Sequence, residues 1–128
     1  METGANGAGS VVLALPGDLM FASRIRGAAG MTGTAVVVCP RPAVLYAELG
    51  RVTPDLVLID LDARSWDPIA VIAALVSDHA VPQDRIIGFV SHVRADVISA
   101  ARAAGAGRVL ARSAFIRDLP DLLRGGGD

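Results

Sequence analysis

Three residues with chemistry to offer each stand at the end of an apolar run. Asp60 closes Leu56-Val-Leu-Ile59, Ser91 follows Ile86-Ile-Gly-Phe-Val90, and Arg112 follows Val109-Leu-Ala111. Four apolar residues in succession read as a strand buried on both faces, the habit of a parallel sheet covered by helices. In such sheets ligands and reacting groups gather at the carboxyl ends of the strands. An acid at that edge is either a working group or the cap of the turn that follows. Asp62 offers a second carboxylate two residues on. Asp18 offers a third, although its place directly before a helical pattern marks it as an N-cap.

Other chemistries find little support. All twelve basic residues are arginine, so a Schiff base, a P-loop lysine and a catalytic lysine are excluded. Cys39 is the only cysteine; at the end of an apolar run it reads as a small buried hydrophobe, and alone it makes neither an internal disulfide nor a multi-Cys metal site. His92 has no second His or Cys at ligand spacing, and His79 suits a cation near a helix C-terminus. Neither histidine lies near a nucleophile elbow, so no Ser-His-Asp triad is indicated. Leu15-Pro-Gly-Asp-Leu-Met20 lacks the glycine spacing of a dinucleotide or phosphate loop. A net charge of −1 argues against nucleic acid or an anionic membrane as partner. No apolar run approaches the ~20 residues of a membrane span. The N-terminus lacks the basic and apolar regions of a signal peptide, so a cytoplasmic location is expected.

The elements that position these groups follow from pattern and punctuation. Val11–Leu15 reads as a strand broken by Pro16-Gly17. A helix capped by Asp18 is predicted to run to about Ala29, with Gly30 as its stop. Ala35–Cys39 forms the second strand. Pro40 and Pro42 open a helix through Leu49, closed by Gly50. After the third strand, Ala63-Arg-Ser-Trp66 is a loop whose tryptophan covers the edge of the core. Asp67-Pro68 then starts a helix directing Ile69, Ile72, Ala73 and Val76 inward. Arg85–Val90 is the fourth strand, Ala95–Ala104 the fourth helix with Gly105 as its stop, Val109–Ala111 the fifth strand, and Ala114 to about Arg124 the last helix. With 52% hydrophobic and only 4% aromatic residues, the core must be largely aliphatic. One α/β domain over residues 11–124 is expected, with flexible ends at 1–10 and 125–128.

Five β-α units with an acid ending the third strand resemble the receiver domain of bacterial response regulators, the CheY-like family. The most specific pieces are Pro54-Asp-Leu-Val-Leu-Ile-Asp60 and Ala103-Ala-Gly-Ala-Gly-Arg-Val-Leu-Ala-Arg112. The resemblance implies a flavodoxin-like three-layer sandwich with parallel strand order 2-1-3-4-5. It also implies phosphoryl transfer to Asp60, assisted by Mg²⁺, with Ser91 and the residue at position 112 holding the phosphoryl oxygens. Several positions depart from the family pattern. Pro16 and Gly17 stand where an acidic pair would hold the metal, and Arg112 replaces a lysine. His92 follows Ser91 where a small residue is usual, and Val109 replaces the aromatic switch residue.

These departures point to a degenerate site. Asp60, Asp62 and Asp18 are only weak Mg²⁺ candidates, so no cofactor is expected unless Asp60 works. Arg112 is expected to form a bidentate pair with Asp60 and depress its pKa. The expectation is a non-enzymatic, stand-alone two-component signalling module that binds a protein partner. No output domain is expected, since the chain ends four residues after the last helix. The family's contact face would draw on Val97, Ala101, Arg102, Arg108, Arg117 and Asp121, and would also serve homodimerisation. Two alternatives stay open: slow phosphorylation of Asp60, and a small-molecule-binding α/β domain with its pocket at the same edge.

Overall fold

Strand and helix alternate five times along the chain. A computed structural model describes residues 11–91 and 94–125; the expectations for 1–10, 126–128 and His92 lie outside the described residues. The order is β1 (Val11–Leu15), α1 (Leu19–Thr32), β2 (Ala35–Val38), α2 (Pro42–Leu49), β3 (Leu56–Asp60) and α3 (Pro68–Ser77). A short 3₁₀ turn (Gln83–Arg85) then leads to β4 (Ile86–Val90), α4 (Ala95–Ala104), β5 (Arg108–Ala111) and α5 (Arg112–Leu123). The five strands are all parallel, in spatial order β2-β1-β3-β4-β5. This is the flavodoxin-like sandwich with order 2-1-3-4-5.

Alternation along each strand divides the core into two. Leu13, Leu15, Val57 and Ile59 face one side and pack with Leu45, Ile72 and Leu75. Val12, Ala14, Leu58, Ile87 and Phe89 face the other and pack with Phe21, Ile25, Phe115 and Leu119 of α1 and α5. The first core is aliphatic. The second holds all three phenylalanines of the chain in one stack: Phe21 to Phe89 at 4.7 Å and Phe89 to Phe115 at 4.2 Å between ring centroids. No helix among the described residues is long and apolar enough to cross a membrane.

Several boundaries differ from the predicted ones, each for a local reason. Helix α1 runs through Gly30 and ends at Gly33, whose φ of 68° gives the left-handed cap. Gly30 has no positive φ, so it remains an ordinary helical residue, and hydrogen bonding carries the helix one turn further. In α3 the inward residues are Val71, Ile72 and Leu75, while Ala73 is exposed. The prolines at the helix entrances hold as expected, and Asp67 caps α3 by accepting from the N–H groups of Ile69 and Ala70. Helix α5 begins at Arg112 rather than Ala114, leaving no loop after β5. His79 lies just past the end of α3 and stacks on Tyr46 at 4.9 Å. Cys39 is fully buried, which pushes its thiol up to about 11, so it serves as packing rather than as a thiolate.

Candidate functional site

Asp60 shares its face of β3 with Leu58, and so points toward α1 and α5. It is only 1% exposed and is the one buried charged residue among those described. Its two oxygens are both engaged. Oδ1 accepts from the Asp62 N–H at 2.9 Å, and Oδ2 accepts from the Gly17 N–H at 2.7 Å. Arg112 Nη2 lies 3.5 Å from Oδ2. The place after β1 where a metal-binding acid would stand is therefore a backbone donor. A side chain does not fit there, since a Cβ on Gly17 would lie 2.7 Å from Asp60 Oδ2 and 3.2 Å from Ala63 Cα. Glycine is the residue that lets the main chain approach the carboxylate.

Arg112 is the centre of the cluster. Its Nη2 is 3.1 Å from Asp18 Oδ2 and 3.5 Å from Asp60 Oδ2, and its Nε is 3.9 Å from Asp62 Oδ2. The expected bidentate pair with Asp60 is not formed. One guanidinium is shared among three carboxylates because its plane is fixed from below: Cζ sits 4.0 Å over the Phe21 ring. That stacking suits arginine and not lysine. Asp18 is both cap and partner: Oδ1 accepts from the Phe21 N–H at 2.8 Å while Oδ2 faces Arg112. The turn Asp18-Leu-Met-Phe21 thus sets the carboxylate and the aromatic platform together, one helical turn apart.

The pKa directions follow from burial and donors. Burial raises Asp60, outweighing the Asp62 and Gly17 N–H groups and the Arg112 charge that pull it down. The expected depression by Arg112 is thus overturned: the arginine is partly exposed and shared, while the acid is sealed. Asp18 is lowered, first by the Phe21 N–H, with burial opposing the fall and Arg112 adding to it.

The structure brings the other sequence-predicted residues only partly together. The Ser91 N–H donates to Asp62 Oδ2 at 2.7 Å, so Ser91 is joined to the cluster through Asp62 rather than directly to Asp60. Arg94 lies 3.9 Å from Asp62 Oδ1. Trp66 is half-buried against the aliphatic core, with its Nε1 lacking a partner among the described residues. Of the proposed contact face, Arg102, Arg117 and Asp121 are exposed, whereas Arg108 and Val97 are half-buried. Ala101 is fully buried and is removed from that face, because the inward phase of α4 places it in the aliphatic core. Gly17 and Phe21 escaped the sequence reasoning; the Asp18-to-Phe21 spacing was the signal for the second.

Receiver folds use a divalent cation at this edge, and the residues here do not fit one. Mg²⁺ demands near-octahedral oxygen donors at ~2.1 Å. Here Gly17 presents an N–H, which repels a cation, and each of the three carboxylates faces Arg112. Among the described residues no group of three His, Cys, Asp or Glu is arranged to hold a metal ion.

No family model matches the chain, and no curated protein matches it. Solved structures do match. A response regulator from Thermotoga maritima aligns at a TM-score of 0.75 and 16% identity, over 91% of this chain and 95% of that one. A CheY-like receiver domain protein from Methanospirillum hungatei aligns at 0.78 and 13% identity, over 93% and 94%. The chemotaxis response regulator CheY4 of Vibrio cholerae aligns at 0.75 and 14% identity, over 91% and 98%. The fold is that of a receiver domain. Within this receiver fold, Asp60 ends the third strand in sequence, Ser91 follows the fourth and Arg112 follows the fifth. The edge is therefore occupied by the expected residue positions, but wired as a closed ion cluster.

Proposed function

We propose that this receiver fold serves as a signalling module whose phosphorylation site has become a structural ion cluster, and that it acts by binding a protein partner rather than by catalysis. The observation that carries this is the state of Asp60: buried, with both oxygens accepting main-chain hydrogen bonds and Arg112 beside one of them. A phosphoryl acceptor needs a free oxygen with an open approach and a cation to offset the incoming charge. Both Asp60 oxygens are already engaged, and the cation beside them, Arg112, is shared with Asp18 and Asp62. Receiver-type solved structures with the same fold support a signalling role. The partner face would use the exposed Arg102, Arg117 and Asp121 with the half-buried Arg108 and Val97 at its rim. The same face would serve a homodimer, and size-exclusion chromatography showing only monomer at high concentration would exclude that use.

The test is a titration of Mg²⁺ with beryllofluoride, an aspartyl-phosphate mimic, into wild type and Asp60→Asn. Trp66 fluorescence and amide NMR signals report the outcome. No saturable change in either protein is expected. A saturable change in wild type alone would make Asp60 a working acceptor and overturn the structural reading.

A further inference from the structure

At the amino edge of the sheet, the end opposite Asp60, a cleft of about 620 Å³ opens between the strand starts and the end of α5. Its inner wall is apolar: Val12, Leu122 and Leu123 are buried there, and Leu56 is half-buried. Arg85 and Arg108 stand beside this wall, both half-buried. Arg108 shares its side of β5 with Leu110, which packs against the phenylalanine core, so it lies on the same side of the sheet as Val12 and Leu56. Arg85 directly precedes β4, and its Nη1 donates to the Pro54 carbonyl at 3.1 Å. That bond holds the head in place and uses only one of the guanidinium N–H donors, on a neutral acceptor. Among the described residues neither arginine forms an ion pair. Asp118 of α5 is drawn down partly by the Arg108 charge, but its carboxylate is held by Arg117 at 3.0 Å.

We propose that this cleft binds a small amphipathic monocarboxylate, its apolar body against Leu56, Leu122 and Leu123 and its carboxylate on Arg85 and Arg108. Arginine forks match the two oxygens of a carboxylate. The volume lies within the range of small-molecule sites, and an apolar wall with a few charged groups is their usual make-up. The surroundings select a single negative charge. Asp55 and Asp84, both exposed, form the outer rim, and the end of α5 carries the negative pole of its dipole. Both penalise a dianion such as a phosphate ester more than a monoanion. The last carbonyls of α5 are already occupied near the cleft, that of Leu122 by the Gly125 N–H and that of Leu123 by the Thr34 hydroxyl. Arg108 also stands at the rim of the proposed partner face, but binding of the acid does not depend on that role.

The test is an NMR titration of the leucine methyl and arginine side-chain signals at constant ionic strength, with octanoate below its micelle concentration, acetate and octylammonium. Octanoate should give saturable shifts at Leu56, Leu122, Leu123 and Arg108, and should bind more than about tenfold more tightly than acetate, which lacks the apolar body. The Arg85→Gln, Arg108→Gln double variant should weaken octanoate by about tenfold or more, with its unfolding midpoint measured alongside. Should that variant lose its fold, octanoate against octylammonium in wild type decides: octanoate tighter upholds the proposal, and octylammonium equal or tighter overturns it by making Asp55 and Asp84 the governing charges. The proposal is also overturned by absence of saturation, by acetate binding as tightly as octanoate, or by undiminished binding in a folded double variant.

Discussion

The two faces of the sheet bury different kinds of apolar side chain and do different work. Toward α2, α3 and α4 the core is aliphatic, with Leu45, Ile72 and Leu75 fully buried against Leu13, Val57 and Ile59. Toward α1 and α5 the three phenylalanines form a stack whose top ring, Phe21, carries the Arg112 guanidinium. One face holds the fold. The other holds the fold and also seats the one cation among the described residues that reaches Asp60, Asp18 and Asp62 together. The difference shows that Arg112 is not a loose replacement for lysine, because its plane has a platform built for it.

The largest expected effects separate the faces by what they disturb. Phe89→Ala should cost about 3–5 kcal/mol in denaturant unfolding, and should shift the Arg112 Nε–H signal because the ring beneath Phe21 is gone. Leu75→Ala should cost about 2–5 kcal/mol and leave that signal in place. Gly17→Ala comes next, at roughly 1–3 kcal/mol, since the new methyl would lie within 2.7 Å of Asp60 Oδ2. Arg112→Lys keeps the charge but loses the stack on Phe21, a loss of roughly 1–2 kcal/mol measurable by thermal or chemical unfolding. Gly27, exposed in α1 with open space around it, is the opposite case to Gly17. Gly27→Ala should stabilise by about 0.5–1 kcal/mol.

The pH dependence carries a definite sign. Asp60 is raised in the folded state, so the folded protein binds its proton more tightly than the unfolded chain does. Its contribution to stability is fully present below the unfolded carboxylate value and is lost as pH rises through the folded value. The stability of wild type relative to Asp60→Asn should therefore fall across that window and level off above it. Asp18 runs the other way: it is lowered, so its contribution is present above the unfolded value and fades as acid protonates the folded group.

The fold was legible because each strand is a short apolar run and most helix boundaries carry a glycine, a proline or an aspartate cap. Errors arose where hydrogen bonding outweighed punctuation, as when α1 passed through Gly30 to the left-handed Gly33. The positions of Asp60, Ser91 and Arg112 at one edge were legible too, because parallel strands deliver their ends together. Their wiring was not. A backbone N–H from Gly17, the sharing of Arg112 among three acids and the net effect of burial on Asp60 all depend on three-dimensional closure that no spacing encodes. Ala101 was misassigned for a simpler reason: the contact face was carried over from the family by position, and the phase of α4 turns Ala101 inward.

The most direct test of the ion cluster is the titration of the Asp60 side-chain carboxyl carbon by NMR, with and without Mg²⁺. The cluster predicts a midpoint above the ordinary carboxylate value, unchanged by the metal. A midpoint at or below that value, moving further down as Mg²⁺ is added, would show an open, metal-binding acid and contradict the closed site.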